Sequence, residues 1–155
     1  MGMSFQDLVV LSEGKMEIRP LPVLSNLNVR DFEAFLTFKK RRAEKTILVR
    51  DEIIHDYDAI GYVVDDNSLS PEIMPNDIAV VVLTGAFDSV DIVLVATGEN
   101  CVRFAHAYKK DNAVILCYGT NLEPQLFNMQ NKGNNYKIIG RVVSLQRTYS
   151  KKLLE

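Results

Sequence analysis

The chain has no tryptophan, two cysteines and two histidines among 155 residues. Cys101 and Cys117 form no Cys-x-x-Cys pair. That excludes the disulfide framework of a small secreted domain and a zinc site built from cysteine alone. Both read as small apolar residues in strands. Charge of one sign is also lacking: 18 Lys and Arg stand against 20 Asp and Glu, a formal net charge of −2. Phosphate contacts dominate nucleic-acid affinity and call for a basic surface, so no direct nucleic-acid contact by this domain is expected. No apolar run approaches the ~20 residues of a membrane helix. The chain does not open on a basic region followed by an apolar run, so neither a signal peptide nor a membrane partner is expected, and the expected compartment is the cytoplasm. Repeats and low-complexity tracts are missing too, and no cofactor or metal is expected.

What remains is 47% apolar and 25% charged, the balance of a globular domain with a core of its own. The apolar runs are short and rich in β-branched residues: Asp7–Leu11, Met16–Leu24, Lys45–Arg50, Asp58–Val64, Asp77–Leu83, Asp91–Ala96, Cys101–Ala107, Ala113–Tyr118 and Tyr136–Arg147. Turn-forming stretches separate them, at Asp65–Asn67, Pro75–Asn76, Thr97–Asn100, Lys109–Asn112 and Asn131–Asn135. This spacing predicts a mainly β domain of several short, largely antiparallel strands. A βαβ pattern is absent, which disfavours a parallel nucleotide-binding sheet.

One segment reads as an N-terminal helix. From Val29 to Arg42, Val29, Phe32, Phe35 and Leu36 recur at helical spacing. Asn28 suits the N-cap, Asp31 and Glu33 suit the first turn, and Lys39–Arg42 suits the negative end of the dipole as a solvated last turn. No second helix follows at the spacing of a helix-turn-helix, so a DNA-reading head is not expected in this chain. Residues 1–15 read as an N-terminal extension, with 1–3 open to reading as an expression scar. Residues 16–147 read as the domain, and 148–155 as a C-terminal tail.

The stretch Asp58–Val81 resembles the nucleophile motif of the LexA, UmuD and phage CI-repressor peptidase family. That motif runs from a strand through Gly-Asp-Ser-Met-x-Pro-x-Ile to Gly-Asp and an apolar strand. Ser68 falls on the nucleophile, Leu69 on the methionine, Pro71 on the proline, Ile73 on the isoleucine and Asp77 on the later aspartate. Asn76 and Asp66 replace glycines, and asparagine tolerates a left-handed turn. Ser89–Phe104 is similar to the family's Gly-Asp-Ile-Val-Val-Ala hairpin with its Val-Lys-Arg return. Leu116–Pro124 is similar to its leucine-then-asparagine-proline loop, and Tyr136–Arg147 to its closing strand. The ordered set spans roughly residues 16–147.

The resemblance implies a LexA or signal-peptidase-like β fold and a serine–lysine dyad. A serine hydroxyl needs a base, and a desolvated lysine can act as one. The family's lysine position is Arg103 here, in Val102-Arg103. A guanidinium stays protonated and cannot serve as a general base. Strand alternation puts 103 and 105 on one face and His106 on the other, so His106 substitutes only if a bulge intervenes. His55 reads as a loop residue, Lys109 and Lys110 as solvated turn lysines, and Asp65, Asp66 and Asp77 as turn-formers. Self-cleaving members cut at Ala-Gly or Cys-Gly, and this chain contains neither dipeptide.

The resemblance therefore implies a catalytically silent regulatory and dimerisation domain of transcriptional or SOS-type regulation. In the family such a domain forms homodimers, and a recombinase filament is a candidate regulatory partner. Two rivals stay open: an active self-cleaving serine peptidase, and a UmuD-like accessory subunit. Tyr136–Arg147 is offered as a self-association edge or as a doubly buried core strand, with Ile138, Gly140 and Val142 on one face and Ile139, Arg141 and Val143 on the other.

Overall fold

Three stretches, Ala59–Tyr62, Ile78–Val82 and Val93–Ala96, are apolar or glycine at every position and buried at every position. A strand can bury both of its faces only inside a sheet that is covered on both sides. The computed structural model describes residues 17–25, 30–31, 45–55, 57–97, 101–119, 122–128 and 137–147, and these runs lie at the centre of its single sheet. Its strands are β1 (Ile18–Leu24), β2 (Lys45–Arg50), β3 (Ala59–Val63), β4 (Ile78–Val82), β5 (Ile92–Ala96), β6 (Val102–Lys110), β7 (Ala113–Cys117), β8 (Gln125–Asn128) and β9 (Lys137–Gln146). The order across the sheet is β2-β1-β3-β4-β9-β5-β6-β7-β8. β1 runs parallel to β3 and every other neighbouring pair is antiparallel, so the sheet is mixed.

Among the described residues, helix is confined to the single turn α1 (Asp51–Ile54) and to Arg30–Asp31. The rest of the helix expected over Val29–Arg42, its basic end included, lies outside the described residues. So do the run Asp7–Leu11, the extension 1–15 and the tail 148–155. The other expected strands appear within a few residues of their sequence limits. β6 runs on through Lys109 and Lys110, so the turn narrows to Asp111 and Asn112, with Asp111 at φ 56°. β8 was not foreseen. No described helix is long and apolar enough to cross a membrane.

Alternation along the strands divides the core by sheet face. On one face Ile60, Tyr62, Leu69, Ile73, Ala79, Val81 and Leu94 form a cluster against which Val102 and Phe104 of β6 pack. On the other face lie two clusters. Leu21, Val23, Ile47, Val49, Ile78, Val80 and Val82 are capped by Ile54 of α1. Val93, Val95, Ala105, Ala107, Val114, Leu116 and Tyr118 are capped by Phe87 from the β4–β5 connection.

β9 is neither an edge nor doubly buried: β4 bonds one side of it and β5 the other, yet only Gly140 is buried and most of its residues are half-buried. Its expected two-face alternation fails. The register slips between Val80 and Val81 of β4 and again between Leu94 and Val95 of β5, leaving Val143 and Ile139 as extra residues. Each bulge flips the parity. Ile139 and Val142 therefore share one cluster, Val143 joins a second and Ile138 a third.

Between the bulges, β4 comes so near that a methyl on Gly140 would run into the Val82 carbonyl oxygen and the Val81 side chain. Backbone cannot step aside as a flexible side chain can. Gly140→Ala is expected to lower unfolding free energy by about 3 kcal/mol, the upper end of ordinary overpacking. Gly85→Ala, whose added methyl meets nothing within 4 Å, is expected to stay within about 0.5 kcal/mol. Urea titration of both variants checks the contrast.

Candidate functional site

The chain leaves β3 at Val63, turns through Asp65–Ile73 and re-enters the sheet at Ile78. Turn chemistry shapes this excursion. The Asp66 carboxylate accepts the Ser68 N–H at 3.0 Å, an Asx turn that fixes the backbone of the serine. Ser70, Glu72 and Ile73 then donate back to Asn67 and Leu69, and the Ser70–Pro71 peptide bond is cis. Leu69 and Ile73 are the buried anchors and Ser68 is half-buried.

The neck of the excursion is laced shut. Asn76 adopts φ 73°, a left-handed conformation that asparagine tolerates better than most residues, and its N–H donates to the Val64 carbonyl at 2.8 Å. Val64 in turn donates to the Asp77 carbonyl at 2.9 Å. Asp77 is buried, yet its carboxylate accepts the Met74 N–H at 2.8 Å and both Nε and Nη2 of Arg147 at 2.8 Å. The Arg147 hydrogen bonds hold the Asp77 carboxyl below its ordinary value; burial opposes this, and the Met74 N–H and the Arg147 charge reinforce it. Asp77 is thus more than a turn-former. It ties the Ser68 turn to the end of β9.

The hairpin β6–β7 lies against the turn. A methyl on Gly119, just past β7, would meet the Ser68 carbonyl oxygen at 2.8 Å and the Ser68 Cβ at 3.4 Å. Only glycine lets the serine sit this close. Strand parity places Cys117 on the same face as Gly119, and His106 stands directly opposite Cys117 in the register. The His106 Nε2 lies 3.3 Å from a Glu72 carboxylate oxygen, four residues beyond Ser68. Phe104, on the same face as His106, packs edge-on against Tyr62 in the cluster that holds Leu69 and Ile73. This face of the hairpin is the one that meets the Ser68 turn.

Arg103 belongs to the other face. Its guanidinium lies over the Tyr118 ring at 4.7 Å from the centroid, beside Ala105 and the Phe87 cluster. An aromatic face and not a carboxylate meets this guanidinium, and among the described residues Arg103 forms no ion pair. Arg103 meets Tyr118 and Ser68 meets Gly119, two successive residues after β7. The parity separating 103 from 106 was readable in the sequence; that the turn covers the 106 side was not. His55 closes α1 at φ 53°, Lys109 lies over Phe87 at 4.4 Å, Lys110 and Asp65 are exposed, and Asp66 is a turn-former as expected.

Sequence reasoning missed Glu72, Gly119 and Arg147. Gly119 carried a weak signal as the glycine after an apolar run. Glu72 and Arg147 carried none, because their partners lie on other strands. Among the described residues no group of three or more His, Cys, Asp or Glu side chains could hold a metal ion. The chain matches no protein-family model and none of the curated proteins.

Because Asp77 has a lowered folded-state pKa, the stability it contributes is fully present above the unfolded carboxylate value of about 4 and is lost as pH falls through the lowered folded value. At neutral pH, Asp77→Asn is expected to cost about 1–3 kcal/mol, since the Arg147 end of the pair is half-exposed. The gap between wild type and Asp77→Asn should hold from pH 7 to about 5 and close below about 4. Denaturation at stepped pH reads it; a gap that widens in acid would contradict the assignment.

Proposed function

We propose that this chain is a regulatory self-association domain of the LexA, UmuD and CI-repressor type, a serine-peptidase relative without peptidase activity, serving transcriptional or SOS-type control. The observation that carries the reading is the pair of placements around the hairpin. A half-buried serine sits on a laced turn after an apolar strand, at the position the resemblance aligns with the family's nucleophile. The residue at the family's base position is a guanidinium turned onto Tyr118, on the opposite face. A guanidinium cannot take a serine proton, and the imidazole on the hairpin face that meets the turn has Nε2 beside Glu72 and an Nδ1 with no hydrogen-bond partner, so neither group is bonded to the Ser68 hydroxyl as a base. The order of strand, turn, strand, hairpin and closing strand supports the LexA-like fold within the mainly β sheet.

The protein is expected to stay intact during alkaline incubation and with an activated recombinase filament. Intact-mass measurement checks this. A discrete fragment that disappears in Ser68→Ala would assign the chain to the active peptidases instead.

Self-association through a sheet edge cannot use β9, which is paired on both sides. The edges among the described strands are β2 and β8. β8 is the proposed edge. Leu126 is 69% exposed there and completes a cross-strand row with Ile115 and Tyr108. A second β8 laid against this edge would satisfy its unpaired backbone groups and cover Leu126 on both copies. Sedimentation equilibrium at micromolar concentration should give twice the 17.5 kDa chain mass, and Leu126→Lys should give the folded monomer. A wild-type monomer at every concentration would overturn the self-association reading.

A further inference from the structure

Besides Ser68, the hairpin face under the turn carries a second nucleophile, and this one has a base beside it. Cys117 is a half-buried thiol outside any disulfide. His106 is its direct cross-strand partner, and such neighbours hold their Cβ atoms about 4.5–5.5 Å apart on one face. The two imidazole nitrogens are in different situations. Nε2 faces the Glu72 carboxylate at 3.3 Å, whereas Nδ1 is buried and accepts and donates no hydrogen bond. A carboxylate beside Nε2 favours the tautomer protonated there, which leaves the lone pair on Nδ1. The ring shares its face of the sheet with the cysteine, and its Nδ1 has no hydrogen-bond partner. An unpaired buried acceptor is unfavourable, and a thiol proton would satisfy it.

We infer that Cys117, His106 and Glu72 form a reactive-thiol site that is oxidised by hydroperoxides. His106 Nδ1 takes the Cys117 proton as base. Glu72 is a positioning residue that holds the ring with Nδ1 turned inward. The sulfur attacks one peroxide oxygen: an S–O bond forms and the O–O bond breaks. The proton leaves His106 for the departing oxygen, giving water or an alcohol. The sulfur is oxidised by two electrons to a sulfenic acid and the peroxide is reduced by two. This site is independent of the regulatory reading above, since it uses neither Ser68 nor Arg103. Its product would lie two residues from Gly119, under the backbone that seats Ser68.

The second cysteine supplies the control. Cys101 is more exposed than Cys117, so access alone predicts that it reacts first. The reduced full chain is treated with hydrogen peroxide, sulfenic acid is trapped with dimedone, and peptide mass spectrometry follows each cysteine separately. Cys117 is expected to label faster than Cys101, and His106→Ala to slow Cys117 by about ten-fold or more while leaving Cys101 unchanged. Misfolding would expose Cys117 and speed its labelling, the opposite sign. Should His106→Ala unfold, Glu72→Gln decides, because that side chain is 61% exposed and its loss spares the core. A slower Cys117 in Glu72→Gln supports the site. Cys117 labelling no faster than Cys101, or a rate indifferent to both substitutions, overturns it.

Discussion

The rest of the structure answers to the burial of β3, β4 and β5 on both faces. A strand with no polar face cannot border water, so each side of the sheet must be covered by something. One side is covered by the Ser68 turn through Leu69 and Ile73, together with Phe104. The other is covered by Ile54 of α1 at one end and Phe87 at the other. The candidate site is therefore not an ornament on a finished sheet. Its turn is one of the lids, and the residues that shape its chemistry also exclude water from the core.

This double duty explains the effort spent on the turn. A lid held only by two apolar anchors would rock about them. Here Asp66 fixes the serine backbone, Asn76 and Val64 close the neck, and Asp77 fastens that neck to Arg147 at the far end of β9. A buried carboxylate is costly unless its oxygens are engaged, and those of Asp77 accept three donors. The arrangement stabilises one position of the turn against the β6–β7 hairpin, so Ser68, Glu72, His106 and Cys117 are presented together.

Much of this was legible in the sequence, for physical reasons. Continuous apolar runs such as Ile78–Val82 mark strands buried on both faces whatever their neighbours are. Asp66, Asn76 and Asp77 could be read as turn residues because their behaviour is local. Three things were not legible. β8 is four residues with no distinctive pattern, held by pairing with β7 and not by its own composition. The faces of β9 depend on two bulges, and these are set by the register against β4 and β5. The side of β6 that looks at Ser68 depends on how the sheet seats its lid. Alternation separates Arg103 from His106, but only the packing of Leu69, Ile73 and Phe104 says which one faces the turn.

The sheet order also governs the sequence of events in folding. β4 and β5 flank β9, the last of the described strands, so neither has its full set of backbone partners until residues 137–146 arrive. Before then the molecule consists of two half-sheets, each with an entirely apolar strand along its open border. Such borders are templates for pairing between chains, and long-range strand insertion is slow. A ribosome that stalls before β9 would release a species built to aggregate. Pairing of β9 joins the halves, buries both borders and, through Arg147, seats the turn that carries Ser68.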